Sequence, residues 1–357
     1  MKLSFPHMGN SYIAFKAAAE ALGFEYIVPP LPNQRTLELG TKYSPELICL
    51  PFKINLGNFI QALEMGADTL VMAGGVGACR FGYYWKIQEL ILQDIGYKFE
   101  ILHLNQLNIP DAYKQLKKKT EKSIFLPYFI KGFKMMWQKA KVLHKIENLK
   151  RNMIPFEQKK GEGAEAFKQS LKLLEQAKTS TEIKNAERKA THLFNSFPKD
   201  TSRKLLKIGI IGEVFVSLES FSNMSIEDKL SEFGVLVHNS MSLYKWLKYI
   251  FHMDFFEKTG RRNISKIASP YLPHNPGGEA QASVAKTILY AKEGFDGVIN
   301  IYPFTCMPGL ISNAVLINVS KDYDIPVLNL SIDEHTGKAG FYTRLEAFID
   351  LLKRRKK

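Results

Sequence analysis

The chain has 357 residues, 45% hydrophobic and 24% charged, which is the make-up of a folded protein long enough for two domains. That composition excludes a disordered, collagen-like or disulfide-dense chain, and no apolar run approaches the roughly 18–20 residues that cross a bilayer. The net charge is +14, and 23 Lys and Arg against 10 Asp and Glu fall between positions 106 and 206, with a basic tail at Lys353–Lys357. No basic-aromatic motif or zinc-finger spacing accompanies this charge, which argues against nucleic-acid binding. It reads as a solvated helical face, or as a surface turned towards an anion or an acidic partner. Three cysteines are an odd number and too few for a disulfide framework. With the polar stretch MKLSFPHMGNSY at the start, they lead us to expect a reduced, cytoplasmic compartment.

In chain order, LSF (Leu3–Phe5) precedes a helical pattern through Tyr12, Phe15, Ala19 and Leu22, followed by EYIVPP. The apolar run ELIC, ending at Cys49, then precedes a helix with Leu56, Phe59, Ile60 and Leu63 on one face. DTLVMA (Asp68–Ala73), a Gly-rich turn, a helix through Ile87, Leu90 and Ile91, and KFEILHL complete an alternation of strands and helices. Such punctuation predicts a parallel sheet covered by helices. From Asn108 to about Pro198 the strand signal gives way to four predicted helices: Lys114–Ser123, Ile130–Asn152, Gly163–Lys178 and Glu182–Asn195. The aromatic stretch IFLPYFIKGFKMMW (Ile124–Trp137) reads as a helix-packing face. Alternation resumes at LLKIGIIGE (Leu205–Glu213) and runs through a helix at Ile226, Leu230 and Phe233, the strand VLVHN, a helix Glu279–Lys292, GVINIY, a helix Leu310–Val319 and PVLNL. The expected fold is α/β: two Rossmann- or flavodoxin-like parallel-sheet domains facing across a cleft, with a helical insert between them. The expected boundaries are 1–107, 108–204 (the basic insert) and 205–357.

Cys49, Cys79 and Cys306 share one local setting: each is placed at a strand-to-helix junction beside Gly or Pro. Loops at the carboxyl ends of strands form the ligand crevice of open α/β sheets, and helix N-termini favour thiolates. Three thiolates can hold a zinc ion or an iron–sulfur cluster with one position open. A zinc ribbon uses close C-x-x-C pairs, and none occurs here. Single, widely spaced cysteines suit a cuboidal cluster better.

Several longer stretches are more specific: CLPFKINLGNFIQALEMGADTLVM followed by GACRFGYY, INIYPFTCMPG, SIDEHTGKAGFYTRLEAF, and IGIIGEVFV with Asn223. Outside the helical insert, the chain resembles the 2-hydroxyacyl-CoA dehydratase D-component superfamily, in its activase-related branch of CoA-substrate-specific enzyme activase homologues. The resemblance implies one [4Fe–4S] cluster per chain between the two α/β domains, with Cys49, Cys79 and Cys306 as its thiolates. It also implies a dehydratase-like or reductase component of anaerobic metabolism, lyase or oxidoreductase, fed low-potential electrons by a separate ATP-hydrolysing activator protein. A homo- or hetero-oligomer with a related subunit, and an acyl-CoA ligand, follow on the same grounds. The chain has too few cysteines for a double-cubane cluster and no G-x-x-x-x-G-K-[ST] loop, so any ATP-driven step belongs to another protein. The competing reading is a non-redox scaffold stabilised by zinc or by its thiols.

In the cluster reading, Gly75 and Gly77, with Gly74, let backbone N–H groups approach the cluster sulfides; otherwise they are plain turn glycines. Arg80 balances cluster charge or makes a surface salt bridge. NPGGEAQAS (Asn275–Ser283) caps a helix or cradles an anion. His7, His238 and His274 read as satisfied loop histidines rather than metal ligands.

Overall fold

A computed structural model describes residues 1–75, 79–105, 109–119, 125–251, 253–254, 257 and 259–356. The chain packs as two compact units, Met1–Lys141 with Lys178–Ser180, and Val142–Ala177 with Thr181–Lys357.

The first unit runs β1 (Lys2–Ser4), α1 (Tyr12–Leu22), β2 (Glu25–Tyr26), α2 (Gln34–Tyr43), α3 (Leu50–Glu64), β3 (Thr69–Gly74), α4 (Tyr84–Asp94), β4 (Glu100–Asn105), α5 (Ile109–Lys118) and the start of α6 (Leu126–Met153). Its sheet is all parallel in the order β2-β1-β3-β4, with Leu3 opposite Thr69 and Leu70 opposite Ile101. The apolar faces of α3, β3 and α4 meet in a core of Phe52, Leu56, Phe59, Leu70, Met72 and Leu92. A second core joins Leu3, Phe5, Leu22 and Leu102 to Phe125, just before α6. Phe125 and Phe129 also pack their rings against Tyr113 of α5, so this part of the aromatic stretch is a packing face. Among the described residues no helix is long and apolar enough to cross a membrane.

Two expectations fail here. EYIVPP forms only the two-residue β2, and ELIC is no strand: it is the turn between α2 and α3. Cys49 therefore follows a helix hairpin rather than a strand. The hairpin is tight because Gly40 of α2 lets the Lys53 carbonyl approach to where a Cβ would be 1.8 Å from it. With α2 on one side and the sheet core on the other, α3 is buried from Leu50 to Leu63 on every face, not on one. The helix α2 itself starts in a reciprocal cap, the Asn33 side chain accepting from Thr36 N while Asn33 N donates to Thr36 Oγ1.

The second unit contains the rest of α6, then α7 (Glu162–Gln176), α8 (Ser180–Ser196), β5 (Leu206–Gly212), α9 (Val214–Leu218), α10 (Ile226–Glu232), β6 (Val235–Asn239), α11 (Leu243–Ile250), α12 (Arg261–Ala268), α13 (Ala280–Lys292), β7 (Gly297–Pro303), α14 (Met307–Asp322), β8 (Val327–Ile332) and α15 (Lys338–Arg355). Its parallel sheet has the order β6-β5-β7-β8. Within each unit, then, the spatial order of the strands is second, first, third, fourth. In both sheets the strand order reverses between the first and third strands, which is where such folds open a crevice at the strands' carboxyl ends. The α/β class with two parallel-sheet units is thus as expected. The middle helices belong to both units, the division falling inside α6. Position 107 and the expected helix end at Ser123 lie outside the described residues.

Candidate functional site

All three cysteines occupy the position just before a helical segment, with extended backbone: Cys49 (φ −69°, ψ 149°) before α3, Cys79 (φ −74°, ψ 127°) before a 3-10 turn at Arg80–Tyr83, and Cys306 (φ −74°, ψ 104°) before α14. Pro51 and Pro308 sit in the first turns of α3 and α14, where a fixed φ helps and a missing N–H costs nothing. None of the three side chains makes a capping hydrogen bond to the helical segment it precedes. Each sulfur therefore stands at a helix start whose first N–H groups lack intrahelical partners. Cys79 and Cys306 follow the third strand of their respective sheets, at the strand-order reversal; Cys49 does not follow a strand.

Within the first unit, the Cys49 and Cys79 segments are stitched together. Tyr84, the first residue of α4, places its hydroxyl 2.6 Å from Cys49 Sγ. The phenol is buried, its ring edge-on to Phe52 and Phe81 at 5.1 and 5.6 Å. Arg80, next to Cys79, donates from Nη1 to the Leu47 carbonyl at 2.7 Å. One turn into α3, Lys53 donates from Nζ to the Glu46 carbonyl at 3.0 Å, although the residue is only 1% exposed. Two cationic side chains thus hold the turn that leads into Cys49. Gly75 belongs to this same approach: a Cβ on Gly82 would lie 2.4 Å from the Gly75 carbonyl, so the segment after Cys79 passes directly over the end of β3. Gly77 lies outside the described residues.

In the second unit, β7 ends at Pro303 and the chain turns through Thr305 in the left-handed region (φ 66°) to reach Cys306. The Gly277–Gly278 loop lies against the first turn of α14, a Cβ on Gly278 meeting Pro308 Cγ at 2.9 Å. Across the strand-order reversal, β5 ends at Gly212, and Glu213 follows it as the N-cap of α9. Gly212 is obligatory: its φ is +126°, and a Cβ would lie 1.9 Å from the Ile301 carbonyl. Glu213 accepts from Phe215 N at 3.0 Å and Val216 N at 2.8 Å. Burial, opposed by these two bonds and reinforced by the Glu279 carboxylate, pushes its pKa up to about 7. Although it stands inside IGIIGEVFV, sequence reasoning assigned Glu213 no role; the available signal was an acidic residue directly after a Gly-terminated buried strand.

The raised value has a stability consequence. The fold favours neutral Glu213, so its contribution is full below the ordinary value of 4.5 and is lost as pH rises through about 7. Glu213→Gln is expected to flatten that decline, measured as denaturation midpoints between about pH 4.5 and 8. An unchanged profile would show that Glu213 is not protonated in the fold.

Among the described residues of either unit, no group of three or more His, Cys, Asp or Glu is assembled as a metal site. His7 bonds the Pro29 carbonyl at 2.6 Å and His238 bonds the Tyr290 hydroxyl at 2.8 Å, though His238 lies on β6 rather than in a loop; His274 is exposed. Exposed apolar side chains flank each cysteine: Leu47 before Cys49, Tyr83 after Cys79, Phe304 and Met307 around Cys306. No protein-family model matches the chain, and no curated protein is significantly similar to it.

Proposed function

We propose that the protein binds one [4Fe–4S] cluster through Cys49, Cys79 and Cys306 and acts as a redox component of the 2-hydroxyacyl-CoA dehydratase or reductase type. The observation that carries this reading is the repeated setting of the three thiols, each before a helical segment, with two of them joined by Tyr84 and Arg80. Thiolate sulfur beside backbone N–H groups, cationic side chains and an apolar rim is a donor set suited to an iron–sulfur cluster, which needs its negative charge balanced and water kept away. When bound, such a cluster carries one electron and, at the iron without a thiolate, offers a position to an oxygen ligand. Around it, Arg80 and Lys53 fix the Cys49 turn, and Tyr84 orients the Cys49 sulfur. The electron comes from a separate ATP-hydrolysing activator, the working form is an oligomer with itself or a related subunit, and the ligand is an acyl-CoA in a cytoplasmic setting.

Anaerobic reconstitution with iron and sulfide tests this directly. About four iron and four acid-labile sulfide per chain are expected, with broad visible absorption bleached by a strong reductant. Stoichiometric zinc without sulfide, or no metal retained, would overturn the cluster and favour the thiol-stabilised scaffold.

A further inference from the structure

The second unit holds a group of polar side chains that the cysteines do not use, gathered at the carboxyl end of β6. Asn239, the last residue of that strand, donates from Nδ2 to Glu227 Oε1 at 2.7 Å and to the Ser217 carbonyl at 3.1 Å. Glu227 in turn accepts from Arg151 Nε at 2.9 Å, which anchors the guanidinium of α6 at this strand end. The chain continues through Ser240, whose N–H bonds the Ile210 carbonyl of β5, to Ser242, whose Oγ accepts from Lys245 N at the start of α11. From the other side comes α13. Its Tyr290 packs over Gly209 of β5 and meets His238 of β6 at 2.8 Å. Lys286 lies one turn earlier on the same helix face, and so nearer the strands' carboxyl ends.

Two features of this cluster point to a missing anion. Lys245 and Lys286 make no ion pair within 4.0 Å and no side-chain hydrogen bond among the described residues, although the Glu279 carboxylate at the start of α13 acts on Lys286. Separately, Ser217 and Ser240, 3% and 2% exposed, have hydroxyl oxygens that are buried with no partner. Buried hydroxyls and half-buried ammonium groups are costly unless something satisfies them. Lys248 is neutralised by Glu257, and Arg151 by Glu227 and Glu147. Burial, with the charges of Lys286, Arg151 and Lys248, pulls Lys245 down to about 7, whereas Lys286, also pulled down by burial, has the Glu279 carboxylate acting in the opposite direction.

We propose that the carboxyl end of β6 is a binding site for a phosphate-type oxyanion, with Lys245 and Lys286 as its cationic ligands, the Ser217 and Ser240 hydroxyls as further donors, and Arg151 as a positioning residue at its edge. A tetrahedral dianion has enough lone pairs for two ammonium and two hydroxyl donors, and the carboxyl ends of strands are where open α/β sheets take their ligands. The site stands whether or not the cysteines carry iron.

The test uses the full chain without reconstituted metal, titrated by calorimetry with inorganic phosphate, ADP and coenzyme A. Saturable binding is expected, with affinity falling about tenfold or more in Lys245→Met and in Lys286→Met. Equal affinity for all three probes identifies a small free oxyanion as the ligand; tighter binding of ADP or coenzyme A identifies a phosphate ester. Because methionine removes a buried charge that has no ion pair, Lys245→Met should stay folded, with a Tm equal to or above that of the parent; Lys286→Met also takes the cation from the Glu279 carboxylate, so its fold is checked by circular dichroism. Their phosphate-induced rise in Tm should disappear, and Lys245→Arg should restore part of it. No saturable binding of any probe at about 10 mM, where a Kd of 1 mM would be evident, overturns the proposal. So does binding undiminished in both methionine variants.

Discussion

Arg151→Met is expected to destabilise the second unit by about 3–5 kcal/mol, because it strands a buried carboxylate. The guanidinium is 5% exposed and bonds Glu227, itself 15% exposed, at 2.9 Å, with Glu147 at 3.7 Å and Asn148 Oδ1 at 3.1 Å. Burial alone would raise the Glu227 pKa, but the charges of Arg151 and Lys150 and the bonds from Arg151 and Asn239 outweigh it and hold the group below 4.5. Without Arg151, Glu227 still receives the Asn239 amide but has lost its main counter-charge. The pH dependence follows with a definite sign. In the parent chain Glu227 contributes stability that is full above 4.5 and lost as pH falls through its lower folded value. In Arg151→Met the neutral acid becomes the favoured form, so acidification should stabilise the variant relative to the parent. Urea midpoints for the two chains should therefore converge as pH falls, and Arg151→Met combined with Glu227→Gln should recover much of the loss. A single-variant cost below about 1 kcal/mol, the range of exposed pairs, would show that the network is solvated.

Much of this architecture was legible because buried parallel strands carry an unusually plain signal. TLVMAG, KIGIIG and GVINIYP are short apolar runs ending in Gly or Pro, and each is a central strand of its sheet. ELIC has the same apolar character over four residues, and local pattern cannot separate a buried turn from a strand at that length. What distinguishes it is α2, which announces itself only through Asn33 and Thr36 and not through a broad apolar stripe. The cysteine positions could be read as helix starts from Pro51 and Pro308. Tyr84, 35 positions from Cys49, could not be paired with it, because nothing local in a sequence records a contact between two loops. Lys53 was hidden for a related reason: a lysine in an amphipathic pattern reads as solvent-facing, and only close packing against α2 puts it inside.

Cys306→Ser is expected to remove nearly all reconstituted iron while making the metal-free protein no less stable. The two halves of this result have different causes, which makes their combination diagnostic. Serine is among the best residues at the position preceding a helix, its oxygen accepting from the first-turn N–H groups, whereas Cys306 makes no such bond. For the metal-free chain the substitution should therefore be neutral or stabilising, by up to about 1 kcal/mol. For the reconstituted chain the same oxygen is a poor substitute for a thiolate, since iron–sulfur clusters are held by sulfur. Iron and sulfide per chain should fall to near background, with the far-ultraviolet circular dichroism and metal-free melting curve of the parent retained. Cys79→Ser should behave alike, because Cys79 also leaves its turn uncapped. Cys49→Ser should lose iron too but destabilise the fold as well, since its sulfur is buried against Tyr84. Parent levels of iron in Cys306→Ser would remove that residue from the ligand set. Two cysteines of the first unit would then be left to bind metal without the second.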